Sequence, residues 1–439
     1  MNKNDEISLN IYDLNADGSG VGKAPCGRVV FVAGALPGEY VKVKIIKMKK
    51  KYAIGKIIHM RENSPQRIPY DDICPYAGKC GGCQFQHYKY AAQLQFKEKL
   101  IYDAFSKIGK MQNPPVSSVI GMENPFRYRN KVQFPVGAEG MGLYAPRSHR
   151  IIPVNGCNIS MCNDIFYTIQ KTLKENPISV YNEETHTGLL RHVVIRAGQN
   201  TGETIVILVI NGKKIETNLP YDLIVNENTE KTNVVLGKKF NVVRGSGFIH
   251  EILGHIRYRI SPRAFFQVNS TQAKKLYDII AGCVSGDEKV IDAYCGIGGI
   301  ALYIACKVLK VTGIEAVPEA VNDAVYNAEL NNIDNVDFIC GQAEDVLPVL
   351  LENEKWDTLI LDPPRKGVDA GFIKTAASAG IRKIIYISCN PASLARDVLE
   401  LSEVSNGMYE IVFVQPVDLF PMTGHVETVC VLEKLREKL

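Results

Sequence analysis

The sequence predicts three folded parts: a small β-barrel, a mixed α+β middle and a doubly wound α/β sheet. Three observations carry this reading. Short alternating strands without a helical period open the chain, strands punctuated by Gly and Asn fill the middle, and from Ser270 apolar strands alternate with helical segments. With 439 residues, 46% hydrophobic and 22% charged, core-forming material runs throughout, which excludes disorder, collagen and a pure solenoid.

The barrel is assigned to residues 1–61. Ile7, Leu9 and Ile11 alternate, Asp17-Gly18-Ser19-Gly20 makes a turn, and strands follow over 29–32, 41–46 and 53–58, broken at Leu36-Pro37-Gly38. This segment carries nine Lys and two Arg against five acidic residues, a balance of +6 in a chain whose net charge is +4. Lys42, Lys44, Lys47, Lys49, Lys50, Lys51 and Lys56 form either a phosphate-facing surface or a strand edge guarded by lysines.

The middle, 62–262, opens on a cysteine-rich turn, continues in a helix over 88–108, and then reads as strands over 193–196, 203–210 and 234–243. If Phe126-Arg127-Tyr128-Arg129-Asn130-Lys131 is a strand, its three cations share one face suited to phosphates, although an ordinary surface strand has the same pattern. The last part, 263–439, places strands at 289–293, 311–314, 336–340, 358–361, 383–387, 411–414 and 428–432. The start of the chain has no apolar run of the kind a secretion signal needs, and no stretch approaches the roughly 18 apolar residues of a membrane span; a cytoplasmic, membrane-free protein is expected.

Twelve cysteines in a reducing compartment argue for a metal site, a nucleophile or buried thiols rather than disulfides. Cys74-x5-Cys80-x2-Cys83 packs three soft ligands into a glycine-rich loop that suits zinc or an iron-sulfur cluster, with Cys157 or Cys162 as the fourth ligand. Cys283, Cys306 and Cys340 read as small buried hydrophobes. Cys389, in Ser388-Cys389-Asn390-Pro391 just past a strand, is expected at the ligand-binding edge of the sheet.

Two acidic strand ends suggest a nucleotide-like cofactor. Asp292 leads into the turn Gly296-Ile297-Gly298-Gly299, and Glu315 ends the next strand, placed to accept hydrogen bonds from ribose hydroxyls. Neither the G-x-G-x-x-G fingerprint nor a Walker sequence occurs, which favours S-adenosylmethionine or a nucleoside over a bound polyphosphate. Asp362-Pro363-Pro364-Arg365 makes a rigid rim, and Arg365 stands where amine methyltransferases usually carry an aromatic residue.

Together these segments, with Phe266-Gln267-Val268-Asn269 and Gly424-His425-Val426-Glu427-Thr428, resemble the S-adenosylmethionine-dependent RNA 5-methyluridine methyltransferases, the iron-sulfur 23S rRNA type with an N-terminal TRAM barrel. The resemblance implies a Rossmann-like methyltransferase domain at 263–439, with S-adenosylmethionine bound by Gln267, Tyr294, Glu315 and Asp362, Cys389 as nucleophile and Glu427 as proton acceptor. It also implies a [4Fe-4S] cluster on Cys74, Cys80, Cys83 and Cys157, and a monomer acting on RNA, with 23S rRNA favoured. A tRNA enzyme and a non-catalytic RNA-binding or ribosome-assembly factor are the alternatives. The chemistry asks for one thiolate to prime uracil at C6 and one base to take the C5 proton, and the target base must leave its stack to be reached.

Overall fold

The computed structural model describes residues 1–435, which pack into two compact units: Met1–Leu100 with Leu143–Ile152 and Phe420–His425, and Ile101–Gly142 with Pro153–Leu419 and the chain from Val426 on. These borders differ from the linear division at 61 and 262. One reason is the helix Tyr90–Lys107, whose final turns leave the first unit: Ile101, Ala104 and Phe105 are buried in the core of the second. No helix among the described residues is long and apolar enough to cross a membrane.

In the first unit, five strands close a barrel in the order Glu6–Leu14, Gly20–Lys23, Val29–Val32, Tyr52–Glu62, Tyr40–Met48. Alternation fills it: Val41, Val43 and Ile45 point inward with Leu9, Ile11, Val30, Val32 and Ala53, leaving Lys42 and Lys44 outside. The Leu36-Pro37-Gly38 break is locked by Glu39, a buried carboxylate that accepts the Leu36 amide at 2.8 Å and pairs with the Arg67 guanidinium.

The second unit contains the mixed middle sheet, in which Leu190–Ala197 lies antiparallel to both Lys131–Gly137 and Thr204–Ile210, and Asp222–Glu227 runs parallel to the latter. Asp222–Glu227 then pairs antiparallel with Lys239–Arg244, so the strand read over 234–243 begins later than the sequence suggests. The Phe126 to Lys131 segment is also corrected. Arg127 has φ +50°, a left-handed conformation that breaks the strand, and the regular strand starts only at Lys131.

The doubly wound sheet has the order Val336–Cys340, Lys310–Glu315, Lys289–Asp292, Thr358–Leu361, Lys383–Ser388, Glu427–Lys434, Tyr409–Val417. The first five strands are parallel, and Glu427–Lys434 runs antiparallel between its neighbours. Its core joins Ile291, Ile314, Leu359, Leu361, Ile384 and Leu432 to helix residues such as Phe372, Leu394 and Val398. All seven sequence-read strands of this sheet form. Of the cysteines expected to be buried, Cys306 and Cys340 are instead exposed, one in a surface 3-10 turn and the other ending an edge strand; Cys162, Cys295 and Cys430 fill the core.

Candidate active site

Sheet topology brings the acidic strand ends together. Asp292, Glu315 and the Asp362 and Cys389 positions all lie at or just past the carboxyl ends of parallel strands, the edge where ligands bind in such sheets. Glu427 reaches that edge by the opposite route, as the first residue of the antiparallel strand. Because Ser388 pairs with Thr428, continuing the register by one residue on each strand brings Cys389 opposite Glu427.

Local bonds fix the glycine turn. Gly298 takes φ +79° and starts the helix Gly299–Ile304, while the buried Asp292 carboxylate accepts the Ala301 amide at 3.1 Å. Its other oxygen, Oδ1, is buried without a hydrogen-bond partner. Glu315 receives one amide on each oxygen, from Gly296 at 3.1 Å and Val317 at 2.8 Å, so its carboxylate is held beside the turn with lone pairs to spare. Tyr294 donates to Glu344 at 3.1 Å, and its ring is tilted against Phe372. Gln267 is buried on a loop whose backbone is held by Asn130: the Gln267 carbonyl accepts from Asn130 Nδ2 at 3.1 Å and the Val268 carbonyl from the Asn130 amide at 2.9 Å.

The nucleophile candidate sits on a braced turn. Asn390 caps the helix Pro391–Val404 through its side chain and donates to the Arg365 carbonyl at 3.0 Å, and Ser393 donates to the same carbonyl at 3.2 Å. The Asp362-Pro363-Pro364-Arg365 rim is thereby tied to the Cys389 turn, and the Arg365 guanidinium acts on the Cys389 thiol, lowering it. Sequence reasoning used Arg365 only as a sign against amine chemistry; its cationic side chain beside a rigid diproline was the signal for a second role.

The charges do not balance within this edge. Burial pushes Asp292 up to about 7, with Asp362 adding to the effect and the Ala301 and Tyr294 amides opposing it; burial also pushes Asp362 up to about 7. Glu427, buried, lies well above the usual carboxylate range through desolvation first and Asp362 second, with Arg365 pulling the other way. The Cys389 thiol is raised by burial and then by Glu427, and lowered by Arg365. Among the described residues, Arg365 is the cation that opposes these carboxylates at Glu427 and Cys389. Such a pocket suits a ligand that carries positive charge, and the spare acceptors of Glu315 suit hydroxyls.

The cysteines expected to hold a cluster fall in both units. Cys74, Cys80 and Cys83 belong to the first unit and Cys157 to the second, and no group of three or more His, Cys, Asp or Glu among the described residues could hold a metal ion. Cys80 instead accepts the Gly82 amide at 3.3 Å and Cys83 lies 3.4 Å from Gln86 Nε2. Cys162 is a core thiol, raised to about 12 chiefly by burial.

Residues 229–435 match the family described as tRNA (Uracil-5-)-methyltransferase, and residues 2–58 match the TRAM domain. A Halalkalibacterium halodurans protein described as an uncharacterized RNA methyltransferase is 43% identical, over 99% of this chain and 98% of its own. A Bacillus cereus protein of the same description is 42% identical, over 100% and 98%. Among solved structures, the Pyrococcus abyssi tRNA (uracil-54, C5)-methyltransferase in complex with S-adenosyl-L-homocysteine superposes with a TM-score of 0.79 at 28% identity, covering 97% of this chain and 100% of that one.

Proposed function

Because the chain belongs to the S-adenosylmethionine-dependent RNA uracil-5-methyltransferase family with an N-terminal TRAM domain, we propose that it methylates C5 of a specific uridine through Cys389 and Glu427. The observation that carries this is the meeting of Cys389, Arg365 and Glu427 at one sheet edge.

S-adenosylmethionine supplies the methyl group when bound. Glu315 would hold its ribose, Asp362 would face its positive charge, and Tyr294 and Gln267 would close the remaining sides. Cys389 adds as thiolate to C6 of the uracil, and the electron pair displaced onto C5 takes the methyl group. Glu427 then accepts the C5 proton, the C6–S bond breaks, and the thiolate is restored. Arg365 favours the thiolate, and the high proton affinity that burial gives Glu427 suits a proton acceptor.

Ribosomal RNA is the favoured substrate, on the combination of TRAM segment and cysteine-rich loop; the tRNA substrate of the P. abyssi protein supports the alternative. A [4Fe-4S] cluster on Cys74, Cys80, Cys83 and Cys157 rests on sequence resemblance alone, and a purified protein replete with zinc and free of iron and labile sulfide overturns it.

Two experiments test the proposal. RNA substituted with 5-fluorouridine should trap a covalent complex through Cys389, since fluorine cannot leave as a proton; no complex, or one that persists in Cys389→Ala, refutes the mechanism. Mapping 5-methyluridine in total RNA with and without the gene separates rRNA from tRNA.

A further inference from the structure

We propose that the Tyr277 hydroxyl is a hydrogen-bond donor to the carboxylate at the amino-acid end of S-adenosylmethionine, in space that Gly299 leaves open. The inference rests on the function proposed above and deepens the cofactor half of that reading.

Tyr277 lies on the helix Ser270–Gly282, whose start is capped by the Asn269 side chain. The residue is 5% exposed, and its ring packs edge-on against Tyr303 with centroids 5.4 Å apart. Its two tyrosine neighbours both spend their hydroxyls inside the protein: Tyr303 donates to Asp278 at 2.6 Å and Tyr258 to the Gly299 carbonyl at 2.6 Å. The Tyr277 hydroxyl makes no hydrogen bond among the described residues. A phenol this deeply set ordinarily has a partner, so one left without it marks a position that a ligand group completes.

The glycine turn is shaped around this hydroxyl. Gly296 and Gly298 have φ of +56° and +79°, so they serve the backbone. Gly299 opens the helix Gly299–Ile304 without a positive φ, and what it provides is room: a Cβ there would stand 2.7 Å from the Tyr277 hydroxyl oxygen. The oxygen thus lies over the turn that follows Asp292. Burial first, and then Asp362, Asp292 and Glu427, hold the phenol well above its ordinary value. It therefore keeps its proton across the neutral range and is available as a donor.

The cofactor's chemistry selects the group it meets. A sulfonium carries three arms: the ribose, the methyl group and the amino-acid chain. The strand order puts Glu315 on one side of Asp292, with Asp362 and Cys389 on the other. With the ribose at Glu315 and the methyl group turned to the uracil primed by Cys389, the third arm is left with the turn after Asp292. Its ammonium suits the carboxylates there. Its own carboxylate is repelled by them and requires a donor, which Tyr277 supplies without adding charge.

Titration calorimetry on the full chain compares wild type with Tyr277→Phe, using S-adenosylmethionine and decarboxylated S-adenosylmethionine, which keeps the sulfonium and the amine and lacks only the carboxylate. The expected result is a loss of about 10-fold or more in affinity for S-adenosylmethionine, with the decarboxylated compound changed by less than about twofold. The Tm of the ligand-free variant should match or slightly exceed that of wild type, because the hydroxyl removed had no partner. Equal losses for the two compounds, unchanged affinity for S-adenosylmethionine, or a Tm lowered by several degrees each overturn the proposal. Failure of the underlying function is separately visible: a wild type that binds the cofactor but forms no 5-methyluridine in RNA from cells lacking the gene refutes methyl transfer to uracil, while Tyr277 is judged on cofactor affinity alone.

Discussion

Arg365 shows how one side chain can change the chemistry of another. It is the cation that favours the Cys389 thiolate against burial and against Glu427, so Arg365→Ala should move the alkylation profile of Cys389 with iodoacetamide to higher pH, and Arg365→Lys should recover part of the shift. An unmoved profile means that Arg365 has no influence on the thiol. In the proposed mechanism Glu427 acts later in the sequence of steps. Glu427→Gln should lower turnover by about 10²–10⁴-fold while letting the covalent RNA complex accumulate on unmodified RNA, because the adduct forms but cannot lose its C5 proton. Loss of activity without accumulation would place Glu427 before, rather than after, methyl transfer. Neither role could be graded from sequence: a Glu flanked by Val426 and Val429 reads equally as a strand-end charge, and the antiparallel register that sets Thr428 beside Ser388 is what favours the base role.

At the scale of the sheet, the carboxyl-end edge gathers Asp292, Glu315, Asp362 and Glu427, with Arg365 the cation set against them, and this gives it a pH signature. Asp292 and Asp362 sit at about 7 when folded, above their ordinary value, so the stability they contribute is fully present in acid and lost as pH rises through 7. The free protein should therefore have a lower Tm at pH 8 than at pH 6. S-adenosylmethionine brings a positive sulfonium that favours the ionised carboxylates, so its affinity should rise across the same interval, and that of S-adenosylhomocysteine should rise less. Titration calorimetry at the two pH values checks this; equal slopes for the two ligands would show that the carboxylates do not sense the methyl-bearing sulfur. Much of this edge was legible in the sequence, because apolar strands ending in Asp292, Glu315 and Asp362 reveal both the fold and the side on which it binds. The Phe126 to Lys131 segment was misread because alternation of aromatic and basic residues does not report the positive φ of Arg127. The cysteine loop was legible as a motif, Cys74-x5-Cys80-x2-Cys83, but ligand spacing carries no information on which fourth residue would complete it.

Across the whole molecule, charge is divided unevenly, and the barrel's surplus is the part most in need of a partner. Its strand pairing puts Lys44 directly opposite Lys56 and Lys42 opposite His59, and Lys42 alone of these forms an ion pair with an acid, Glu6 at 2.7 Å. Like charges directly opposite each other are destabilising, so the Lys44–Lys56 pair works against the barrel, offset in part by Glu6, which pairs in register with Lys44 on its other side. A polyanion reverses that sign. Replacing Lys44, Lys47 and Lys56 by Gln in the full-length chain should therefore leave stability unchanged or raise it slightly. RNA affinity should weaken, and the slope of log K against log salt should become shallower by about 1–3, one unit for each phosphate contact removed. S-adenosylmethionine affinity should not move. If the lysines instead served only solubility, the variant would aggregate more readily while its RNA salt dependence matched wild type. The two roles thus give opposite results in the same pair of measurements, solubility and salt slope.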